Sequence, residues 1–228
     1  MNKYDAFICC SQADIAWGSS LSKAFNRYRV PKMLVGRESR DGFVPQRIKD
    51  VYLDTNEIAT SDNLGATLKN ALDQSEYLIV ICSPESAKSQ WVHEQIMTFK
   101  RQGKESRILS FIVAGEPNAQ DKDTSEEECF PHALKYCLAD DNDLSEIRTE
   151  PIAADARPGK DGKNNAIKKL LAGLLGVSYN DLQRRELQRK NRQNIFVFSL
   201  IFSVVVVIFG VWYTAHLQVL EQEKVNLN

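Results

Sequence analysis

The sequence has almost no net charge and few residues of the kinds that mark metal or disulfide proteins. Its 228 residues include 29 Lys and Arg against 30 Asp and Glu, a formal net charge of −1. Nucleic-acid-binding domains usually present a basic face, so this balance argues against nucleic-acid binding. The five cysteines are an odd number, which favours buried thiols over a disulfide framework.

Two motifs that would indicate specific chemistry are incomplete. Only two residues separate Gly159 from Gly162, whereas a phosphate-binding Walker loop has four between its glycines, then Lys and Ser or Thr. Cys129 and His132 have the spacing of zinc ligands, but no second pair accompanies them. We therefore expect no metal and no prosthetic group, and we interpret residues 157–163 as a turn-rich linker.

One stretch near the C-terminus lacks charge altogether. Residues 195–212 are uncharged, and at ~1.5 Å per residue they reach about 27 Å, close to the ~30 Å hydrocarbon core of a bilayer. We therefore predict one transmembrane helix at 195–215, with the lipid bilayer as a partner of the chain.

The flanks of this stretch predict its orientation. Basic residues crowd positions 184–192, and basic flanks stay on the cytoplasmic side. We expect a basic juxtamembrane helix at 179–194, a short extracytoplasmic tail at 216–228, and a single pass through the inner (cytoplasmic) membrane with the N-terminal domain in the cytosol. Residues 1–10 lack the basic start and apolar run of a signal peptide, so no leader is expected.

Short apolar runs alternate with amphipathic stretches over the first half of the chain. This alternation predicts right-handed crossovers, a parallel sheet and an α/β fold with helices on both faces. Asp14 is placed to cap the first helix. The predicted strands are 5–10, 51–53, 77–82 and 108–113, with an edge strand at 147–153; helices are expected at 14–30, 64–72, 89–101 and 166–176.

Ligands of such sheets bind at the carboxyl ends of the strands, where the loops 10–14, 54–63 and 83–89 are expected. The predicted helix at 89–101 borders this edge. At 100° per residue, Trp91 and Gln95 lie one turn apart beside the core stripe, and Glu94 projects away from it.

Several segments, taken in this order, resemble the TIR (Toll/interleukin-1 receptor) domain. The order and spacing agree over about residues 2–119. The matching segments are YDAFICCSQAD at 4–14, LGATLKNALDQS at 64–75, YLIVICSP at 77–84 and SQWVHEQI at 89–96; GEPN at 115–118 and PIAADARP at 151–158 resemble a bacterial branch of the family.

The resemblance implies a flavodoxin-like TIR domain, with its core at 1–120 and a C-terminal extension at 121–178. Two activities occur in the family. Many members cleave NAD at the nicotinamide–ribose bond, often in defence against phage, which would make NAD a substrate. Others are non-catalytic scaffolds that recruit partner TIR proteins. Self-association through TIR–TIR contacts and an unidentified activating protein or signal are expected. The scaffold members assemble through the loop after the second strand, here 54–63, which is expected either to cover the binding pocket or to contact a neighbouring copy.

The resemblance also implies a catalytic Glu four residues after the Trp, where this sequence has Gln95. Cleavage develops positive charge on the ribose, which a carboxylate stabilises. Three explanations stay open: a natural non-enzyme, an enzyme that uses Glu94, or a Gln95 that replaces a native Glu. Helical geometry disfavours the second.

The remaining family positions predict a binding pocket. Phe7, Cys10 and Ser11 are expected to line its floor, although the family usually has an aromatic residue where Cys10 stands. Trp91 is expected to offer a stacking wall for nicotinamide or adenine. Asp54 is expected either to contact the ligand or to cap its loop.

Overall fold

The computed structural model describes residues 3–54 and 62–183, with isolated positions between 198 and 210. The helices are α1 (Ile15–Arg27), α2 (Asp62–Asp73), α3 (Pro84–Lys88), α4 (Gln90–Arg101), α5 (His132–Lys135) and α6 (Gly162–Leu174). The strands are β1 (Tyr4–Cys9), β2 (Glu38–Ser39), β3 (Gly42–Phe43), β4 (Val51–Leu53), β5 (Ser75–Cys82), β6 (Ile108–Ile112), β7 (Tyr136–Leu138), β8 (Leu144–Arg148) and β9 (Ala153–Asp155).

Five of the strands form one parallel sheet in the order β4-β1-β5-β6-β9. Counting only the strands of this sheet, the order is 2-1-3-4-5, the flavodoxin-like arrangement. The predicted α/β fold with a central parallel sheet and flanking helices is therefore confirmed.

The two faces of the sheet are buried separately. Successive side chains of a strand point to opposite faces, so neighbouring residues of β1 and β5 enter different cores. Ile8 and Ile79 pack on the face with α1 and α6, whereas Phe7 and Val80 pack on the face with α2, α4 and α5. Since both faces are covered, Ala6–Cys9 of β1 and Tyr77–Cys82 of β5 are continuous apolar runs that do not alternate with polar residues.

Gly18 allows α1 to approach the sheet closely. A Cβ atom at this position would lie 2.7 Å from Leu53 Cδ1 and 3.3 Å from Cys10 Sγ. Leu53 ends the edge strand β4, so the glycine sets how closely α1 packs against that strand.

The fifth strand comes from the segment predicted as a C-terminal extension. β9 pairs with β6 through Phe111 and Ala154, and residues 149–152 precede it without regular structure. The single edge strand predicted at 147–153 is wrong. Its first residues belong instead to β8, which pairs antiparallel with β7 in a separate ribbon.

Arg157 holds the predicted linker firmly against the domain. Its guanidinium donates to the Gly115 carbonyl, to Glu116 at 2.9 Å and to Asp155 at 2.7 Å. Gly115 has φ +73°, and a Cβ there would lie 2.8 Å from the Glu127 carbonyl oxygen, so only glycine fits. These contacts join the segments 115–118 and 151–158.

The C-terminal predictions fall largely on positions that the structure does not describe. Contacts divide the chain into a unit at Met1–Leu182 and another at Gln183–Asn228. Among the described residues, no helix has the length and apolar character needed to cross a membrane. Most of the predicted span 195–215, the end of the predicted helix 179–194 and all of the tail 216–228 lie outside the described residues; 179–183 are helical.

Candidate functional site

The carboxyl edge of the sheet brings together residues from two parts of the chain. Asp54 follows β4 directly, and Trp91 and Gln95 lie on consecutive turns of α4. Helix α4 begins at this edge because Ser89 caps it, its Oγ accepting from the Val92 amide at 3.3 Å. We refer to Asp54, Trp91 and Gln95 as the Asp54 cluster.

One carboxylate oxygen organises the Asp54 cluster. Trp91 Nε1 and Gln95 Nε2 each donate to Asp54 Oδ2 at 2.8 Å. Both polar residues are buried: Asp54 is 8% exposed and Gln95 is 3% exposed. Two donors on one buried carboxylate offset part of its desolvation cost. Trp91 and Gln95 therefore share one acceptor, the Asp54 carboxylate.

The Gln95 amide is satisfied on one side only. Its Oε1 is buried and has no hydrogen-bond partner among the described residues. The reverse amide orientation would turn Oε1 towards the Asp54 carboxylate and lose the Nε2 bond, so the orientation follows from the neighbour. An unsatisfied buried acceptor costs about 1–3 kcal/mol. Such a cost marks a position where an outside donor would be favourable.

A second buried carboxylate lies at the same edge, where β1 and β5 end. Asp14 Oδ2 accepts from Ser11 Oγ at 2.6 Å, Ser83 Oγ at 2.5 Å and Ser86 Oγ at 3.0 Å. We refer to these four residues as the Asp14 cluster. The prediction that Asp14 caps α1 with its side chain is wrong, because the carboxylate is committed to these hydroxyls and makes no cap bond.

Ser83 and Ser86 were missed by sequence reasoning. The available signal was the SPES sequence at 83–86 directly after a strand, a helix N-terminal pattern. Ser83 Oγ accepts from the Ser86 amide at 3.1 Å while donating to Asp14. The Asp14 cluster thus fixes the start of α3 to the end of β1.

Glu94 lies apart from both clusters. It is exposed, and its Oε1 accepts from Gln90 Nε2 at 3.0 Å, one turn earlier on α4. This agrees with the helical geometry that turns Glu94 away from the core stripe. Val92, Ile96 and Phe99 form that stripe and are fully buried.

The structure separates the three residues predicted to line the pocket floor. Phe7 is fully buried on the α4 side of the sheet and stacks on Tyr52 with ring centroids 5.1 Å apart. Cys10 packs in the opposite core. Ser11 belongs to the Asp14 cluster. The binding role of these residues stays a prediction.

The thiols nearest the sheet are not activated. Burial raises the pKa of the Cys9 and Cys82 thiols well above their ordinary value, and it raises the pKa of Cys129 to about 12. A thiol held protonated is a poor nucleophile and a poor metal ligand. Among the described residues, no group of three or more His, Cys, Asp and Glu is placed to hold a metal ion.

A depression in the described surface lies elsewhere. It has a volume of about 450 Å³ and is lined by residues that include Lys88, Glu127 and His132. It contains no residue of the Asp54 cluster. Its lining lacks the buried, incompletely satisfied polar group found at Gln95, so the chemistry points to the cluster instead.

Comparison with known proteins is consistent with the motifs. Residues 44–141 match a family model for the TIR domain. The NAD(+) hydrolase ApTIR of Actinoplanes sp. is 31% identical over 195 residues, which are 82% of this chain and 25% of the relative. The chain therefore spans about a quarter of the length of that relative.

Two solved structures are also similar. The TIR domains of the activated Roq1 resistosome, which directly recognises the effector XopQ, are 16% identical with a TM-score of 0.33, over 48% of this chain and 57% of that chain. The TIR domain of the Toll-related receptor TRR-2 of Hydra magnipapillata is 17% identical with a TM-score of 0.31, over 53% and 81%. TM-scores of this size carry no argument. The likeness to the TIR family therefore rests on the match of residues 44–141 to the family model and on the Actinoplanes relative.

Proposed function

We propose that the chain binds NAD at the Asp54 cluster and cleaves it at the nicotinamide–ribose bond. The observation that carries the proposal is the Gln95 Oε1 atom, buried without a partner beside a carboxylate and an indole. A ribose presents hydroxyl donors for such an acceptor. The similarity to a protein named as an NAD(+) hydrolase supports the same substrate.

The residue types suit this reaction. Cleavage of the bond leaves positive charge on the ribose, and a preorganised carboxylate stabilises that charge. The indole of Trp91 is half-buried and offers an aromatic face to a nicotinamide or adenine ring. The activity is proposed to depend on self-assembly of TIR domains, triggered by an unidentified protein or signal, in defence against phage.

The test is NAD consumption by the purified full chain, once as dispersed protein and once clustered with a bivalent antibody to an appended epitope. We expect NAD loss and nicotinamide release on clustering. Absence of turnover in both states, together with absence of turnover in the clustered Gln95→Glu variant, would reject the enzyme.

The second part of the proposal is attachment to the inner (cytoplasmic) membrane by residues 195–215, with the TIR domain in the cytosol. Supporting observations are the uncharged stretch 195–212 and its basic flank. The described residues Phe198, Phe202 and Phe209 are helical and 70%, 70% and 62% exposed, an apolar face suited to lipid. Recovery of the chain in the carbonate-washed membrane fraction is expected; recovery in the soluble fraction would contradict the anchor.

One observation favours a second function, a non-catalytic scaffold that recruits partner TIR proteins at the membrane. Position 95 has a neutral amide where the family's catalytic carboxylate is expected. The scaffold predicts that the clustered chain co-assembles with another TIR protein and leaves NAD intact. NAD turnover by the unaltered chain would reject a purely structural role.

A further inference from the structure

The proposed reaction needs a negative charge near the ribose, and position 95 does not supply one. The described carboxylates on or beside the elements of this edge include Glu94, Asp14 and Asp54. Glu94 is exposed and bonded to Gln90. Asp14 already accepts from three hydroxyls. Asp54 alone among them is bonded to both Trp91 and Gln95.

The geometry points to Asp54 as the catalytic carboxylate, with Gln95 as its positioning residue. This inference rests on the proposed NAD cleavage and names the group that performs it. The family pattern has its carboxylate at the position of Gln95. In this chain the proposed carboxylate is Asp54, whose Oδ2 lies 2.8 Å from Gln95 Nε2.

In the Asp54–Gln95 pair an amide donates a hydrogen bond to a carboxylate. A Glu at position 95 would place two carboxylates at hydrogen-bond distance, and like charges that close favour protonation of one of them. The observed pair instead holds one negative charge and one donated hydrogen bond. Gln95 therefore presents a hydrogen-bond donor to Asp54, where a Glu would present a second carboxylate.

The unpartnered Oε1 gives Gln95 a second task. It needs an N–H or O–H donor from outside the described residues, and a ribose hydroxyl provides one. Gln95 then orients the sugar through Oε1 and Asp54 through Nε2. The amide links the substrate hydroxyl to the charge that acts on the neighbouring carbon.

The reaction step balances without a further cofactor. The bond between ribose C1′ and the nicotinamide nitrogen breaks, and its electron pair leaves with the nitrogen, so nicotinamide departs neutral. The ribosyl cation that remains is stabilised by the Asp54 carboxylate. Water adds to C1′ and releases a proton to solvent, which gives ADP-ribose, nicotinamide and one proton.

Four versions of the full chain test the assignment: the unaltered chain, Asp54→Asn, Gln95→Glu, and the double variant that exchanges the two groups. All are clustered in the same way, with Glu146→Gln on the exposed surface of β8 as a matched carboxylate-to-amide control. We expect Asp54→Asn to lower kcat by about 10²-fold or more, with a smaller change in KM. The kcat of the double variant should recover to within about tenfold of that of the unaltered chain. The reason is that this variant retains one carboxylate and one hydrogen bond between positions 54 and 95. Glu146→Gln should change neither constant.

Each other outcome is decisive. Full activity of Asp54→Asn would overturn the assignment and leave NAD cleavage standing. Activity in Gln95→Glu but not in the unaltered chain would place the required charge at position 95 and overturn it as well. Loss in Asp54→Asn without recovery in the double variant would make Asp54 a structural residue. Inactivity of both the unaltered chain and Gln95→Glu would instead reject the proposed function.

Discussion

The Asp14 cluster and the Asp54 cluster lie at the same edge of the sheet but differ in how completely they are hydrogen-bonded. Asp14 accepts from three serine hydroxyls, two of them from α3 and the end of β5. In the Asp54 cluster, Trp91 and Gln95 both donate to Asp54, and Gln95 Oε1 is buried without a partner among the described residues. A completed network stabilises the fold, whereas an incomplete one keeps a position for a ligand.

This comparison also locates the ligand side of the edge. In sheets of this order, ligands favour the crevice where the strand order reverses, which here is between β1 and β5. The Asp14 cluster occupies that point with the chain's own side chains. Gln95 Oε1, the buried acceptor without a described partner, belongs to the cluster at the end of β4, one strand away.

The largest expected effect is a difference between the two clusters in how much a substitution lowers the free energy of unfolding. Asp14→Ala removes a charged acceptor from three buried hydroxyls, and bonds to charged groups contribute about 1.5–3 kcal/mol each, without full additivity. We expect a loss of about 3 kcal/mol in the free energy of unfolding, measured by urea denaturation of the full chain. Asp54→Asn, which keeps one acceptor oxygen for Trp91 and Gln95, should cost about 1 kcal/mol. Equal losses would remove the distinction between the clusters.

The next effect concerns binding. Trp91→Phe keeps an aromatic ring but removes the Nε1 donor to Asp54. We expect about tenfold weaker NAD binding by calorimetry, because loss of one bond to a charged group is worth about 1.5 kcal/mol. The control is Trp17→Phe, whose indole packs edge-on against Phe111 in the other core. Equal NAD affinities of the Trp91→Phe and Trp17→Phe variants would show that Trp91 does not contribute to NAD binding.

A smaller effect tests whether Gln95 is retained for stability. Gln95→Met has similar volume, removes the unsatisfied Oε1 and removes the bond from Nε2. The two contributions oppose each other, so the free energy of unfolding should change by no more than about 1 kcal/mol. A loss as large as that of Asp14→Ala would show that Gln95 has the same structural role as Asp14.

The smallest expected effect is on the pH dependence of stability, and it arises at Glu116, outside both clusters. Hydrogen bonds from Lys122 and Arg157 lower the pKa of Glu116 to about 2, from an ordinary 4.5. A lowered pKa stabilises the fold above about pH 4.5, and this contribution is lost as the pH falls towards 2. We expect Glu116→Gln to reduce the stability difference between pH 6 and pH 3 by under about 1 kcal/mol, since the pair is partly screened by solvent. An unchanged pH dependence would contradict this.

Local patterns predicted most of the fold. The apolar runs of β1, β5 and β6 and the stripe of Val92, Ile96 and Phe99 were recognisable because burial on both sheet faces leaves only apolar residues. β9 was not recognisable, because its three residues Ala153–Asp155 form no apolar run and are ordered by pairing with β6.

The site was predictable only in part, for a similar reason. The pairing of Trp91 with Gln95 follows from helix geometry. Their joint acceptor, Asp54, lies 41 residues before Gln95, and sequence alone left its role undecided. The hydroxyls of Ser83 and Ser86 lie 69 and 72 residues from Asp14. Local capping rules therefore assigned Asp14 to the wrong partner.

The close approach of α1 at Gly18 connects the packing of this helix with the residue that precedes Asp54. Leu53, the residue that a Cβ at this position would strike, is joined by one peptide bond to Asp54. It also ends the edge strand β4. A methyl group at position 18 would therefore require the Leu53 side chain to shift, directly beside the proposed catalytic carboxylate.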